Sequence, residues 1–92
     1  MRDGAFEWED EKARVNIAKH KLSFEVAALA FDDPNGIDEP DDSDDGGEER
    51  YNWFGLVAGR VLVVTYCWRG LRIRIISARK GNKHDQEFYF SQ

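Results

Sequence analysis

From Asp10 to Leu22 the chain reads DEKARVNIAKHKL, where Val15, Ala18 and Leu22 recur at helical spacing and no breaker intervenes. This spacing predicts a helix over about Asp10 to His20. Glu9, Asp10 and Glu11 stand near its start and Lys19, His20 and Lys21 at its end, each sign favourable to the helix dipole. Ser23 is placed to cap a second helix, FEVAALAF, whose apolar face is Phe24, Ala27, Ala28 and Phe31. The sequence DDPNG then stops it, because proline restricts the residue before it and Asn-Gly favours a turn.

Beyond residue 50 the pattern changes. RYNWFGLVAG, RVLVVTYCW and LRIRIISARK are rich in β-branched and aromatic residues and are parted only by Gly59-Arg60 and Gly70, so they predict three antiparallel strands joined by tight turns. A short strand near Ala5 to Glu7 adds to an edge, and GNKHDQEFYF closes the chain with a short helix. The expected fold class is α+β, with two N-terminal helices packed on a small antiparallel β-sheet.

Ninety-two residues bound this to a single domain, 1–92, with one modest core. No apolar run approaches the roughly 20 residues that span a bilayer, and the opening MRDGAFEWED lacks the apolar centre of a secretory signal. Cys67, the only cysteine, lies in the apolar run VVTYCWRG and is expected to be a buried packing residue; a cytoplasmic location is expected. The net charge of −5 hides a segregation: residues 1–49 carry 5 basic and 16 acidic residues, and residues 50–92 carry 8 basic and 2 acidic. A basic half of this kind can attract polyanions while the acidic half repels them or meets a basic partner.

The acidic excess peaks in DEPDDSDDGGEER, Asp38 to Arg50. As a calcium loop it would need a bidentate glutamate at position 12, but counting from Asp41 that position is Asn52, so no metal site is expected. An exposed connector is the plain reading of the run, with a masking or partner-recruiting role beside it.

Two clusters are candidates for chemistry. Lys12, Asn16, Lys19 and His20 fall on one side of the first helix, where a solvated face and a site look alike. His20 is suited to proton transfer near neutral pH, as is His84 in the tail. In RIRIISARK, strict alternation puts Arg72 and Arg74 on one face and Arg79 on the other, so Arg74 and Arg79 meet one ligand only if the strand bends, as Gly81 would allow. With Lys80 and Lys83 they suggest a phosphate clamp, since the guanidinium fork pairs with non-bridging oxygens.

Taken together, FEWEDEKARVNIAKH, LSFEVAALAFDDP, Arg50 with Gly55, and RIRIISARK with Glu87 and Tyr89 resemble the BrnT family of type II toxin–antitoxin toxins over nearly the whole chain. The resemblance implies a RelE-like fold and a ribonuclease that cuts RNA to stop growth; beside it, the expectation is an endoribonuclease that needs no metal or cofactor. The resemblance also implies silencing by a DNA-binding antitoxin of the BrnA kind, with which the toxin shares operon autoregulation. Three departures stand out: Lys21 where relatives often have a helix-ending glycine, Val26 in place of a frequent glutamate, and Trp68 where an acidic residue is common.

The expected mechanism uses the RNA 2′-hydroxyl as nucleophile. Arg74 and Arg79, helped by Lys80, stabilise the phosphorane; His20 or Lys19 moves protons, with Glu87 or Tyr89 as a second group and Arg50 as a further cation. Lys12, Asn16, Arg72, Lys80 and Lys83 complete the RNA-binding set. The competing expectation is a catalytically inactive adaptor whose basic sheet face binds a partner, with Trp53 and Trp68 as anchors.

Overall fold

The computed structural model describes residues 5–41 and 48–92. The elements are β1 (Phe6–Glu7), α1 (Asp10–His20), α2 (Phe24–Leu29) running into a 3₁₀ turn (Ala30–Asp32), β2 (Ile37–Asp41), β3 (Arg50–Val57), β4 (Arg60–Arg69), β5 (Arg72–Lys80) and α3 (Lys83–Phe90). They form one five-stranded sheet in the order β1-β5-β4-β3-β2. The α+β class is as expected, but the sheet is mixed, because β1 pairs parallel to β5.

Local chemistry accounts for most boundaries. The Ser23 hydroxyl accepts from the Val26 N–H at 3.1 Å and starts α2. Asn82 and Asp85 form a reciprocal capping box at the start of α3. Lys21 ends α1 in the left-handed region, φ 57°, with its N–H on the Ile17 carbonyl at 2.8 Å. Ala58 and Gly59, both at positive φ, turn β3 into β4, while Gly70 leads the turn into β5.

The core lies between the α1–α2 layer and one sheet face: Phe6, Leu22, Phe24, Ala27, Ala28 and Ala30 meet Leu62, Val64, Ile75 and Ala78. Cys67 is 1% exposed, and burial pushes its thiol pKa up, which fits a packing role. Helix α3 covers part of the opposite face. Phe88 packs on Phe54 with centroids 4.9 Å apart, and the Tyr89 hydroxyl donates to Asp33 beyond the end of the 3₁₀ turn.

Two expectations are corrected. The segment expected to be a connector contributes β2, which pairs antiparallel with β3 from Ile37↔Phe54 to Asp41↔Arg50. The Tyr66 hydroxyl holds it by donating to Asp38 at 2.8 Å, and edge position lets the strand carry Pro40. Residues 42–47 of the acidic run lie outside the described residues. The second correction concerns α1: Val15 is 48% exposed and Ala18 is also exposed, while the inward side carries Ala13, Asn16 and His20. The polar stripe, rather than the aliphatic one, faces the sheet.

Candidate active site

Strand β1 covers β5 only at Ile73 and Arg74, so beyond that point the edge of β5 faces α1. Asn16 anchors the helix there. Its amide nitrogen donates to the carbonyls of Ala78 at 2.8 Å and Leu22 at 2.9 Å, and its amide oxygen accepts from the Ala78 N–H at 3.0 Å. This geometry corrects the expectation that Asn16 binds RNA: its polar atoms are spent on backbone, which makes it a positioning residue.

The anchoring leaves a groove of about 440 Å³ between α1 and β5, lined by Glu11, Lys12, Val15, Lys19, His20 and, on the strand, Ile76 and Ser77, with Asn16 at its floor. Lys12 and Lys19 are exposed and His20 is half-buried. Glu11, which also pairs with Arg14, and Ser77 were absent from the sequence-based candidates. Glu11 reads in sequence as a complement to the helix dipole, and Ser77 as one of two small residues in an arginine-rich strand.

The register of β5 is set by a bulge. Thr65 pairs with Ser77 and Tyr66 with Ile75, so Ile76 is an extra residue. The consequence is that Arg72, Arg74, Ser77 and Arg79 all face away from α2. The expected bend at Gly81 is not what unites them. Arg74 and Arg79 oppose Cys67 and Val63, four positions apart on β4, or about 13 Å along the strand. The structure does not bring the two guanidiniums together on one site, since each is held by its own carboxylates.

Each arginine also has a carboxylate partner. Arg74 donates to Glu7 at 2.6 Å and to Glu9 at 3.0 Å, tying β5 to β1 and the start of α1, and Arg72 lies 3.7 Å from Glu7. Arg79 donates at 2.6 Å to Asp85, whose carboxylate also accepts from the Asn82 N–H at 2.8 Å. Burial pushes the Asp85 pKa up, but these hydrogen bonds outweigh it and leave the carboxyl below its ordinary value.

The other expected residues lie apart from the groove. Arg50, half-buried, lines a shallow recess with Pro40, Asp41, Glu49 and Tyr51 near the far edge of the sheet. Lys80 faces Leu22 and Arg60. Lys83, His84 and Glu87 are exposed on α3. Tyr89 is 7% exposed, and its hydrogen bond to Asp33 with burial raises its pKa to about 12; the contact ties α3 to the end of the 3₁₀ turn, away from the groove. Trp53, expected as an interface anchor, instead stacks on Phe31 with centroids 5.3 Å apart and donates to the Ala30 carbonyl at 2.7 Å. Trp68 is 51% exposed beside Tyr66.

Among the described residues no helix is long and apolar enough to cross a membrane. A search of curated proteins finds no match to the chain. A family model does match: residues 8–85 fit the model described as the ribonuclease toxin, BrnT, of type II toxin–antitoxin systems. That stretch runs from Trp8 through Asp85 and contains the whole groove, and on this match the chain belongs to the BrnT family of ribonuclease toxins.

Proposed function

We propose that this toxin is a metal-independent endoribonuclease whose reaction centre is the α1–β5 groove. The observation that carries the reading is the convergence of Lys12, Lys19 and His20 on one groove along the edge of an arginine-bearing strand. The RNA 2′-hydroxyl attacks the adjacent phosphorus, its proton leaves to a base, and the departing 5′-oxygen receives a proton from an acid. His20 performs one of these transfers, with Lys19 or Glu11 the second. Lys12 and Lys19 hold the non-bridging oxygens as charge builds on the phosphorane. Arg79, Arg72 and Arg74 bind flanking phosphates, Arg79 by exchanging Asp85 for the ligand; Lys80, on the other face of β5, joins Lys83, Arg50 and Glu87 as a peripheral contact. The nucleophile is the substrate's own, and the charges are met by side chains, so the scheme needs no metal.

The partner we propose is a BrnA-type, DNA-binding antitoxin in a cytoplasmic pair that regulates its own operon, and the finer fold assignment is RelE-like. The test is cleavage of a defined RNA by purified protein with and without chelator. Cleavage should persist with chelator and leave 2′,3′-cyclic phosphate ends. His20→Ala and Lys19→Ala should each lose on the order of 10²-fold in rate with an unchanged circular dichroism spectrum. Full rates in both variants would remove the assignment. The adaptor reading is favoured by one observation, the carboxylate partners that already neutralise Arg74 and Arg79. An adaptor would bind RNA or a partner yet yield no fragments.

A further inference from the structure

Glu39, Asn52, Thr65 and Ser77 are register partners across β2, β3, β4 and β5, so they form a polar row on the sheet face opposite α2. At about 4.8 Å between strands the row spans roughly 14 Å. At one end Ser77 opens into the α1–β5 groove. At the other, Glu39 and Asn52 open into a separate pocket of about 250 Å³ against α3, completed by Phe54, His84, Asp85 and Phe88.

The pocket has an aromatic wall and polar edges. Phe54 and Phe88 meet at 61° with centroids 4.9 Å apart, and both are only half-buried. The Thr65 hydroxyl donates to the Asn52 amide oxygen at 2.7 Å, which commits that oxygen to the sheet and leaves the amide nitrogen as the donor. Glu39, directly opposite Asn52 in register, presents an exposed acceptor. Asp85 is turned to Arg79 and the Asn82 N–H. The Glu39 carboxylate beside an aromatic wall, with His84 as a further polar edge, suits the flat, donor-bearing edge of a base better than a phosphate.

We infer that this pocket receives one unpaired base of the RNA, and that guanine fits it best. The Glu39 carboxylate accepts from the ring N–H and the exocyclic amine, the Asn52 amide nitrogen donates to the ring carbonyl, and Phe88 stacks on the base. Adenine and cytosine place an acceptor where Glu39 needs a donor. The polar row carries the strand from the pocket to the groove, so the base read here lies a short distance from the bond that is cut. This assignment deepens the nuclease reading and rests on it for the identity of the ligand as RNA.

The test uses the full chain and four single-stranded oligonucleotides that differ only in a central G, A, C or U within a uridine background, made with 2′-O-methyl sugars so that none can be cleaved. Fluorescence anisotropy should show the G oligonucleotide binding roughly tenfold or more tighter than the A, C and U ones. Glu39→Gln should abolish that preference. Phe88→Leu, which keeps apolar volume but removes the ring, should weaken G binding to a similar degree with an unchanged thermal melt. Equal affinity for all four, a retained preference in Glu39→Gln, or no binding at all overturns the pocket. Cleavage of matched all-ribose RNA separates the two readings: cleavage without base dependence ends the pocket alone, and base-dependent binding without cleavage sustains the pocket and ends the nuclease scheme.

Discussion

Asn16 and Ala78 pair as two strands would, the side-chain amide of one exchanging two hydrogen bonds, 2.8 and 3.0 Å long, with the backbone of the other. A primary amide carries the donor and acceptor of a peptide group, so a helix residue can substitute for the missing strand at the edge of β5. The same amide also donates to the Leu22 carbonyl, which fixes the chain just after α1. The groove therefore depends on one buried side chain whose amide is engaged with backbone.

Replacing Asn16 with alanine leaves buried backbone groups of Ala78 and Leu22 without partners, at a cost of roughly 2–4 kcal/mol. Asn16→Asp should be as harmful, because a carboxylate cannot donate to the two carbonyls. Urea melts followed by circular dichroism check this. A loss below about 0.5 kcal/mol for the alanine variant would show that α1 is held by other contacts.

The path from sequence to site was uneven for physical reasons. Helix α1, the Ser23 cap and the turns at Gly59 and Gly70 are local events, and their residues announce them. Strand β2 is made by pairing with β3 and by the Tyr66–Asp38 hydrogen bond, neither of which acidic, proline-bearing IDEPD signals. The stripe Lys12, Asn16, Lys19 and His20 was visible, but its inward orientation was not, since Asn16 makes a polar residue the buried centre of α1. The bulge at Ile76 reverses the strand's alternation without any breaker in IRIISAR, so strict alternation separates Arg74 and Arg79 where the structure gives them one face.

Lys21 holds a left-handed conformation, φ 57° and ψ 38°, that costs a side-chain-bearing residue about 1 kcal/mol. Lys21→Gly removes this strain and should stabilise the fold by about 0.5–1 kcal/mol, raising the melting temperature by several degrees. Thermal melts of the two proteins decide it; a lowered midpoint would mean that the Lys21 side chain contributes more than its backbone costs.

Gly55 lies where β3 passes closest to the 3₁₀ turn, and a Cβ there would collide with the Ala30 carbonyl and the Trp53 indole. Gly55→Ala should therefore cost about 2–3 kcal/mol and displace Trp53 from its 2.7 Å hydrogen bond to Ala30. A red-shifted tryptophan emission together with a lowered urea midpoint is the expected result. An unshifted midpoint would show that the turn yields without penalty.

Helix α3 is tied down by two carboxylates, and this sets how stability follows pH. Burial raises the Asp33 pKa, but hydrogen bonds from the Tyr89 hydroxyl and the Asn35 and Leu56 N–H groups outweigh it, so the carboxyl stays below its ordinary 3.8; Asp85 is lowered too. A group whose pKa is depressed on folding stabilises the fold above its unfolded value and ceases to do so as pH falls through the folded one. Stability should thus decline below about pH 4, and Asp33→Asn and Asp85→Asn should each flatten that acid limb while lowering stability at neutral pH. Tyr89 acts in the opposite direction. Its pKa rises from 10.0 to about 12 on folding, first through the hydrogen bond to Asp33 and then through burial. Its contribution is complete below pH 10 and is lost as pH rises toward 12; the Tyr66 hydroxyl, buried and bound to Asp38, is raised as well, so Tyr89→Phe should make the alkaline limb shallower without abolishing it. Thermal midpoints across both ranges measure these limbs, and an alkaline limb left unchanged by Tyr89→Phe would assign it wholly to other groups.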